Sequence, residues 1–273
     1  MNIFVKMGEI ISQYYSWLLQ GVGYTLLVSL VSTVIGLIIG VLIGVWRTMP
    51  SPKNKVLFWL KKISDWILAA YIEVFRGTPM MVQAMVIFWG FAMLNGGQTL
   101  DVVFSGMLIV SINTGAYMAE SVRGGIISID PGQTEGAKAI GMTHVQTMVN
   151  VIMPQALRNI MPQIGNNYII NVKDTSVMFI IGFTEFFASH RYIVGINNKY
   201  FPSAVIEMAG YLLMTLIASG ILRLVEKGMD GSDSYELVQE DPLTMTAGTY
   251  SHPKRGSNYD ERSKEYGAER EGR

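Results

Sequence analysis

The sequence predicts an all-α integral membrane protein of about five transmembrane helices, with a long helical loop on its cytoplasmic side. Three observations predict it. Half of the 273 residues are hydrophobic and 15% are charged, and the mean hydropathy is +0.31, a balance found in membrane rather than soluble domains. Residues 22–46 carry no charge at all; as helix they span about 37 Å against a hydrocarbon core of about 30 Å. Residues 123–160 then interrupt the apolar runs with a polar stretch, and a loop of that length inside a compact bundle needs a cause.

The first span is residues 22–46. The next charged block holds Arg47, Lys53, Lys55, Lys61 and Lys62 without an acid, so the positive-inside rule puts it in the cytoplasm and the N-terminus outside. Residues 63–94 form the second apolar region. It contains Asp65, Glu73, Arg76 and Pro79, which predicts one long or broken helix with the clean span in its second half. Asn95-Gly96-Gly97 makes an outside turn. Residues 102–122 return to the cytoplasm, 160–188 form the fourth span, and 204–222 the fifth. Residues 190–202 are the external loop between the last two, and the C-terminus falls inside. Residues 1–21 are set apart as an N-terminal segment and 22–228 as the transmembrane domain. Residues 229–273 lack apolar periodicity and read as a disordered cytoplasmic tail. Within span one, Gly36, Gly40 and Gly44 recur every four residues. Such a stripe lets helix backbones approach closely, either inside the molecule, the favoured reading, or across a dimer seam.

Composition also excludes. Without cysteine there is no disulfide, thiolate metal site or cysteine nucleophile. His144, His190 and His252 do not fall at metal-ligand spacing. The tail, residues 229–273, holds ten Asp/Glu and six Lys/Arg, leaving eleven acids and fifteen bases on the first 228 residues; no nucleic-acid-binding patch emerges. Nothing resembles a cleavable leader, because the first long apolar run starts late and is full membrane length. A Walker A loop needs Gly-Lys before Ser/Thr so that the lysine reaches the phosphates. No Gly-Lys dipeptide occurs, so the chain is expected to bind no nucleotide itself.

The polar stretch carries helix punctuation. Asp130 is placed to N-cap a helix, with Pro131 at its first position and Gln133 three residues after the cap. Gly141 ends that helix as a left-handed cap. Thr143 caps a second helix, with Gln146 three residues on, and Pro154 limits its continuation. Ala137, Ile140, Val145, Met148, Val149 and Ile152 recur at roughly helical spacing. Part of this stripe packs beneath the bundle while the bend and ends stay available to a partner; the bland alternative is a helix pair that only caps the bundle.

Glu135-Gly136-Ala137, then Gly141, then Val151-Ile152-Met153-Pro154 resembles the EAA loop of ATP-binding-cassette importer permeases, E-A-A-x3-G-x9-I-x-L-P. Gly136, Val151 and Met153 depart from that pattern; its spacing is intact. Phe75-Arg76-Gly77-Thr78-Pro79 with Val82-Gln83 resembles the second-span signature of polar amino-acid permeases. Asn113-Thr114-Gly115-Ala116-Tyr117 with Glu120 and Arg123-Gly124-Gly125-Ile126 is similar to their third span, and Val172-Lys173-Asp174-Thr175-Ser176 to their fourth. The resemblance covers about residues 21–227. It implies a type I importer permease in a prokaryotic cytoplasmic membrane, one of the histidine, glutamine, glutamate or arginine type. Its implied partners are a dimer of ATP-binding-cassette ATPases carrying ATP and Mg, a second permease subunit (the same chain or another), an extracytoplasmic amino-acid-binding protein and membrane lipid. Glu135 would begin the coupling helix that docks the ATPase, and Gly141 would shape its bend.

Ionisable groups within spans are functional candidates. Asn113, Tyr117 and Glu120 share one face of span three at i, i+4 and i+7, and Asn167, Asn171 and Asp174 share one of span four. Asn113, Tyr117, Asn171 and Asp174 are the candidate translocation path. Arg76, Gly77, Thr78, Pro79, Glu120 and Lys173 are candidates for structural or gating roles, Arg76 ordering the break in span two. Two rivals remain at this stage: an ATP-independent carrier or channel, which the missing inverted repeat disfavours, and a membrane enzyme, for which no catalytic motif speaks.

Overall fold

In the computed structural model, described over residues 3–229, α-helices account for almost the whole chain and no strand occurs among the described residues. The helices are α1 (Ile3–Thr48), α2 (Lys55–Gly77), α3 (Met80–Leu94), α4 (Val102–Ile127), α5 (Pro131–Ala139), α6 (His144–Thr147), α7 (Met153–Asp174), α8 (Phe186–Asn197) and α9 (Tyr200–Met229). A π-helical turn (Met148–Ile152) joins α6 to α7, and a 3-10 turn (Thr175–Ile181) follows α7. The tail expected to be disordered lies outside the described residues, apart from the end of α9.

Three helices are long and apolar enough to cross a membrane: α1, α4 and most of α9. Two bent pairs bring the number to five if each counts as one crossing. The first pair is α2 with α3, bent by 115°. At 15 residues, α3 is about 22 Å long, too short to cross alone, so the clean span expected in residues 80–94 is replaced by a sharply broken unit. The cause is Thr78-Pro79, both extended (ψ 149° and 134°); proline lacks the N–H that would continue α2 and pushes its predecessor out of the helical region.

The fourth apolar region also differs from one continuous span. It tightens into the 3-10 turn, stops at Gly182 in the left-handed region (φ 85°), and resumes as α8 at a 51° bend. The stretch 190–202, expected as a loop, is therefore mostly helical. At the other end, Pro154 does not stop the second loop helix. The π-turn absorbs the register change and the chain runs on into α7, where a proline in the first turn is tolerated. Residue 21 is no boundary either: α1 begins at Ile3 and kinks at Tyr14 (φ −118°, ψ 16°). Its early turns have a packing partner, since Ile10 and Tyr14 are buried against Ile193 of α8.

Along α1 from Gly21 onward, the inner face is built mostly from small residues and the outer face from large apolar ones, as expected where helices pack closely in lipid. The buried face of α1 is Gly21, Thr25, Val28, Ser29, Ser32, Thr33, Gly36, Gly40 and Gly44, while Leu30, Ile38 and Leu42 project outward. The glycine stripe is filled from within the molecule. A Cβ at Gly36 would lie 2.7 Å from Thr114 of α4, one at Gly44 2.7 Å from Val122, and one at Gly40 inside Met118. This close approach decides against a dimer seam. The largest apolar cluster joins α1, α3, α4 and the 3-10 turn through Val28, Phe88, Ile109, Val110, Met178 and Phe183.

Candidate functional site

The loop between α4 and α7 is a helical hairpin held by its own caps. The Asp130 side chain accepts from Gly132 N–H at 2.6 Å, and Pro131 starts α5. The helix ends in a Schellman motif: Met142 N–H donates to Ala137 O and Gly141 N–H to Lys138 O, both at 3.0 Å. Gly141 sits at φ 83°, which an L side chain adopts only at a cost. Thr143 and Gln146 complete a reciprocal capping box at 3.3 and 2.9 Å. The apolar stripe divides in two. Ala137, Met148 and Ile152 are buried, whereas Ile140, Val145 and Val149 are 79%, 65% and 58% exposed. Glu135, Gly136, Gly141 and Pro154 lie on the exposed side, and a Cβ at Gly136 would meet nothing within 4 Å. The hairpin thus presents an apolar, partly acidic surface with no partner among the described residues.

The intramembrane candidates fall into two groups. Asn113 is buried, and its amide nitrogen donates to Phe75 O (3.1 Å) and to the Gln83 amide oxygen (2.9 Å). Gln83 in turn donates to Phe75 O at 2.9 Å and to Thr78 O and Oγ1, each also at 2.9 Å. The carbonyls freed by the Gly77-Thr78-Pro79 break thus find donors across the bundle. Gln83 completes this knot; its signal in the sequence was a lone buried amide one turn after a helix-breaking proline. Asn171 is likewise tied in, donating to Thr33 Oγ1 at 2.8 Å and accepting from Thr114 at 3.1 Å. By contrast Tyr117 is 40% exposed, with the exposed Arg76 guanidinium 5.5 Å from its ring centroid. Lys173 and the half-buried Asp174 close α7 and hydrogen-bond to none of the others. Both oxygens of Glu120 are taken, one by Arg47 at the end of α1 and one by Arg123 (2.7 Å).

A second polar centre went unread in the sequence. Glu185 is completely buried. Its carboxylate caps α8, accepting from Phe187 and Ala188 N–H at 2.9 Å each, from Tyr211 of α9 at 2.6 Å and from Thr25 of α1 at 3.3 Å. Close by on α8 and α9, His190 Nδ1 lies 2.8 Å from Ser203 Oγ and 3.6 Å from Glu207. No group of three metal-binding side chains occurs among the described residues.

Long apolar helices, two sharply bent helix pairs and an exposed helical hairpin are the architecture of a membrane transport subunit. The comparisons name the kind. Residues 32–231 match the binding-protein-dependent transport system inner membrane component family, and the chain belongs to that family. It is 36% identical over 167 residues to the glutamine transport system permease protein of Escherichia coli (strain K12), covering 61% of this chain and 76% of that one. It is 36% identical to the L-cystine transport system permease protein of Bacillus subtilis (strain 168) over 60% of this chain and 70% of that one. The arginine transport system permease protein of the same organism is 32% identical, over 62% and 76%. An amino acid ABC transporter crystallised with histidines shares the fold at TM-score 0.68 and 32% identity, over 80% of this chain and 96% of that one. An inward-facing methionine ABC transporter, at 18% identity and TM-score 0.66, supports the fold alone. The chain is a multi-pass permease subunit, and the carrier, channel and enzyme readings are not favoured.

Proposed function

We propose that this permease forms the path for a polar amino acid in an importer driven by a separate ATPase, which docks on the α5–α6 hairpin. The observation that carries the reading is the divided stripe: Ala137, Met148 and Ile152 are buried where α5, α6 and α7 meet the π-turn, while Ile140, Val145, Val149 and Glu135 stand exposed. The relatives named for glutamine, cystine and arginine support an amino acid as cargo. ATP and Mg belong to the partner, since this chain has no phosphate-binding loop; ATP-driven closure there would bias the bundle between inward- and outward-open states. A second permease subunit, another copy or a paralogue, completes the path. An extracytoplasmic binding protein delivers cargo to the outer face, with the N-terminus outside and the C-terminus in the cytoplasm of a prokaryotic cell.

For the path itself, Tyr117 and Asp174 are open to cargo, and Asn113 and Asn171 set the helices that carry them. The test is uptake of radiolabelled amino acids by proteoliposomes holding the assembled transporter. Uptake should require enclosed ATP and the binding protein. Uptake that persists with the ATPase omitted would establish an ATP-independent carrier instead. Replacing Asn113, Tyr117, Asn171 and Asp174 together by alanine should abolish uptake or shift its selectivity; wild-type rate and preference would remove these residues from the path.

A further inference from the structure

We propose that the first half of α2 is a binding site for the phosphate headgroup of an anionic phospholipid in the inner leaflet. Lys55, Trp59, Lys62 and Trp66 follow one another at i, i+4, i+7 and i+11. At 100° per residue they fall within about 60° of arc, a single stripe of alternating base and indole about 16 Å long. All four are exposed, Trp59 by 58% and Trp66 by 73%. Ile72 is the one buried residue of α2; its other face, with Lys61, Ser64, Asp65 and Tyr71 half-buried, is turned to the bundle, and the stripe lies away from it.

The stripe sits at the membrane boundary. Trp46 Nε1–H donates to Ser64 Oγ at 2.9 Å, which sets Ser64 beside the last turn of α1. The turns of α2 before Ser64 therefore lie at or beyond the inner end of span one. Indole rings favour this headgroup level, and lysine ammonium groups there attract anionic lipid. The charge is free for the purpose. Lys61 is taken by Asp65 at 2.7 Å and Arg47 by Glu120, whereas Lys53 and Lys55 are exposed and make no ion pair among the described residues. Lys62 lies 5.0 Å from the Trp59 ring centroid, holding base and indole together as a unit that meets both phosphate and the glycerol region. A second copy of this chain is the less suitable occupant, because a patch this basic would face its own like charge.

The assignment to the inner leaflet rests on the orientation proposed above; binding itself does not. Native mass spectrometry of the assembled transporter, released from micelles containing phosphatidylglycerol and phosphatidylcholine, reads the headgroup preference. The wild type should retain phosphatidylglycerol, and each lysine removed in Lys53→Gln/Lys55→Gln/Lys62→Gln should lower retention about five-fold. The corresponding Lys→Arg triple should keep it. Equal retention of the two lipids, or of phosphatidylglycerol by wild type and Gln triple, overturns the proposal, as does a dimer that Trp59→Leu/Trp66→Leu dissociates. Because the chain has no cysteine, Ser51→Cys gives a clean reporter of sidedness. Labelling by an impermeant maleimide from outside intact cells would overturn the orientation and the leaflet, whatever the lipid retention shows.

Discussion

The α5–α6 hairpin and the joint around Glu185 satisfy their polar groups in opposite ways. In the hairpin the partners are two to five residues apart: Asp130 with Gly132, Thr143 with Gln146, Met142 with Ala137. At the joint, one carboxylate draws in Thr25 from 160 residues away and Tyr211 from 26. The hairpin's caps therefore come from its own sequence, while Gln155 of α7 donates to Gln133 of α5 at 3.2 Å and joins it to the next helix. The joint exists only when α1, α8 and α9 have assembled, and it fixes where the broken fourth span turns. One region leaves apolar side chains exposed, the other ties three helices together.

That contrast predicts a ranking. Glu185→Ala should be the most damaging change, because it leaves buried donors on three helices unpaired. A loss of at least ~3 kcal/mol is expected from the cost of orphaned buried groups, read as the melting temperature of the purified complex. Gly40→Val comes next. It drives a side chain into Met118 where α1 and α4 touch, and overpacking of this kind costs about 1–3 kcal/mol. Gln83→Ala and Asn113→Ala should each cost about 1–2 kcal/mol. Their double-mutant cycle should show coupling of ~0.5 kcal/mol or more, with uptake falling while the ATPase stays bound. Additive effects would mean that the two amides do not act together on the break at Thr78-Pro79. Thr143→Ala should remove about 1 kcal/mol of local capping and weaken ATPase association more than it lowers the melting temperature. If it lowers the melting temperature as Glu185→Ala does, the effect of the cap is not local to the hairpin.

The same contrast explains what could be read from the chain. Apolar length located α1, α4 and α9, and the caps at Asp130, Gly141 and Thr143 located both hairpin helices, because those signals are local. The breaks were harder. Pro79 announced an interruption in the second span but not a 115° bend, whose geometry depends on Gln83 and Asn113 reaching across the bundle. The 3-10 turn and α8 are marked locally only by Gly182 and the Glu185 cap, and their course follows from packing against α3, α1 and α9. Pro154 looked like a stop because the π-turn that accommodates it is set by burial of Met148 and Ile152. Glu185 and Glu207 did leave a signal: each is a lone carboxylate inside an apolar run, costly there unless engaged. What the sequence could not supply was the partner, which came from distant helices.

The exposed face of the hairpin is proposed to receive the ATPase. Co-purification of the ATPase with tagged permease tests it most directly, using Glu135→Lys and Val149→Glu. Both positions are exposed, so the permease itself should change by less than about 0.5 kcal/mol in stability and elute as a single folded species. The ATPase should be lost from both variants while the binding-protein interaction survives. Wild-type amounts of ATPase bound to both would contradict it.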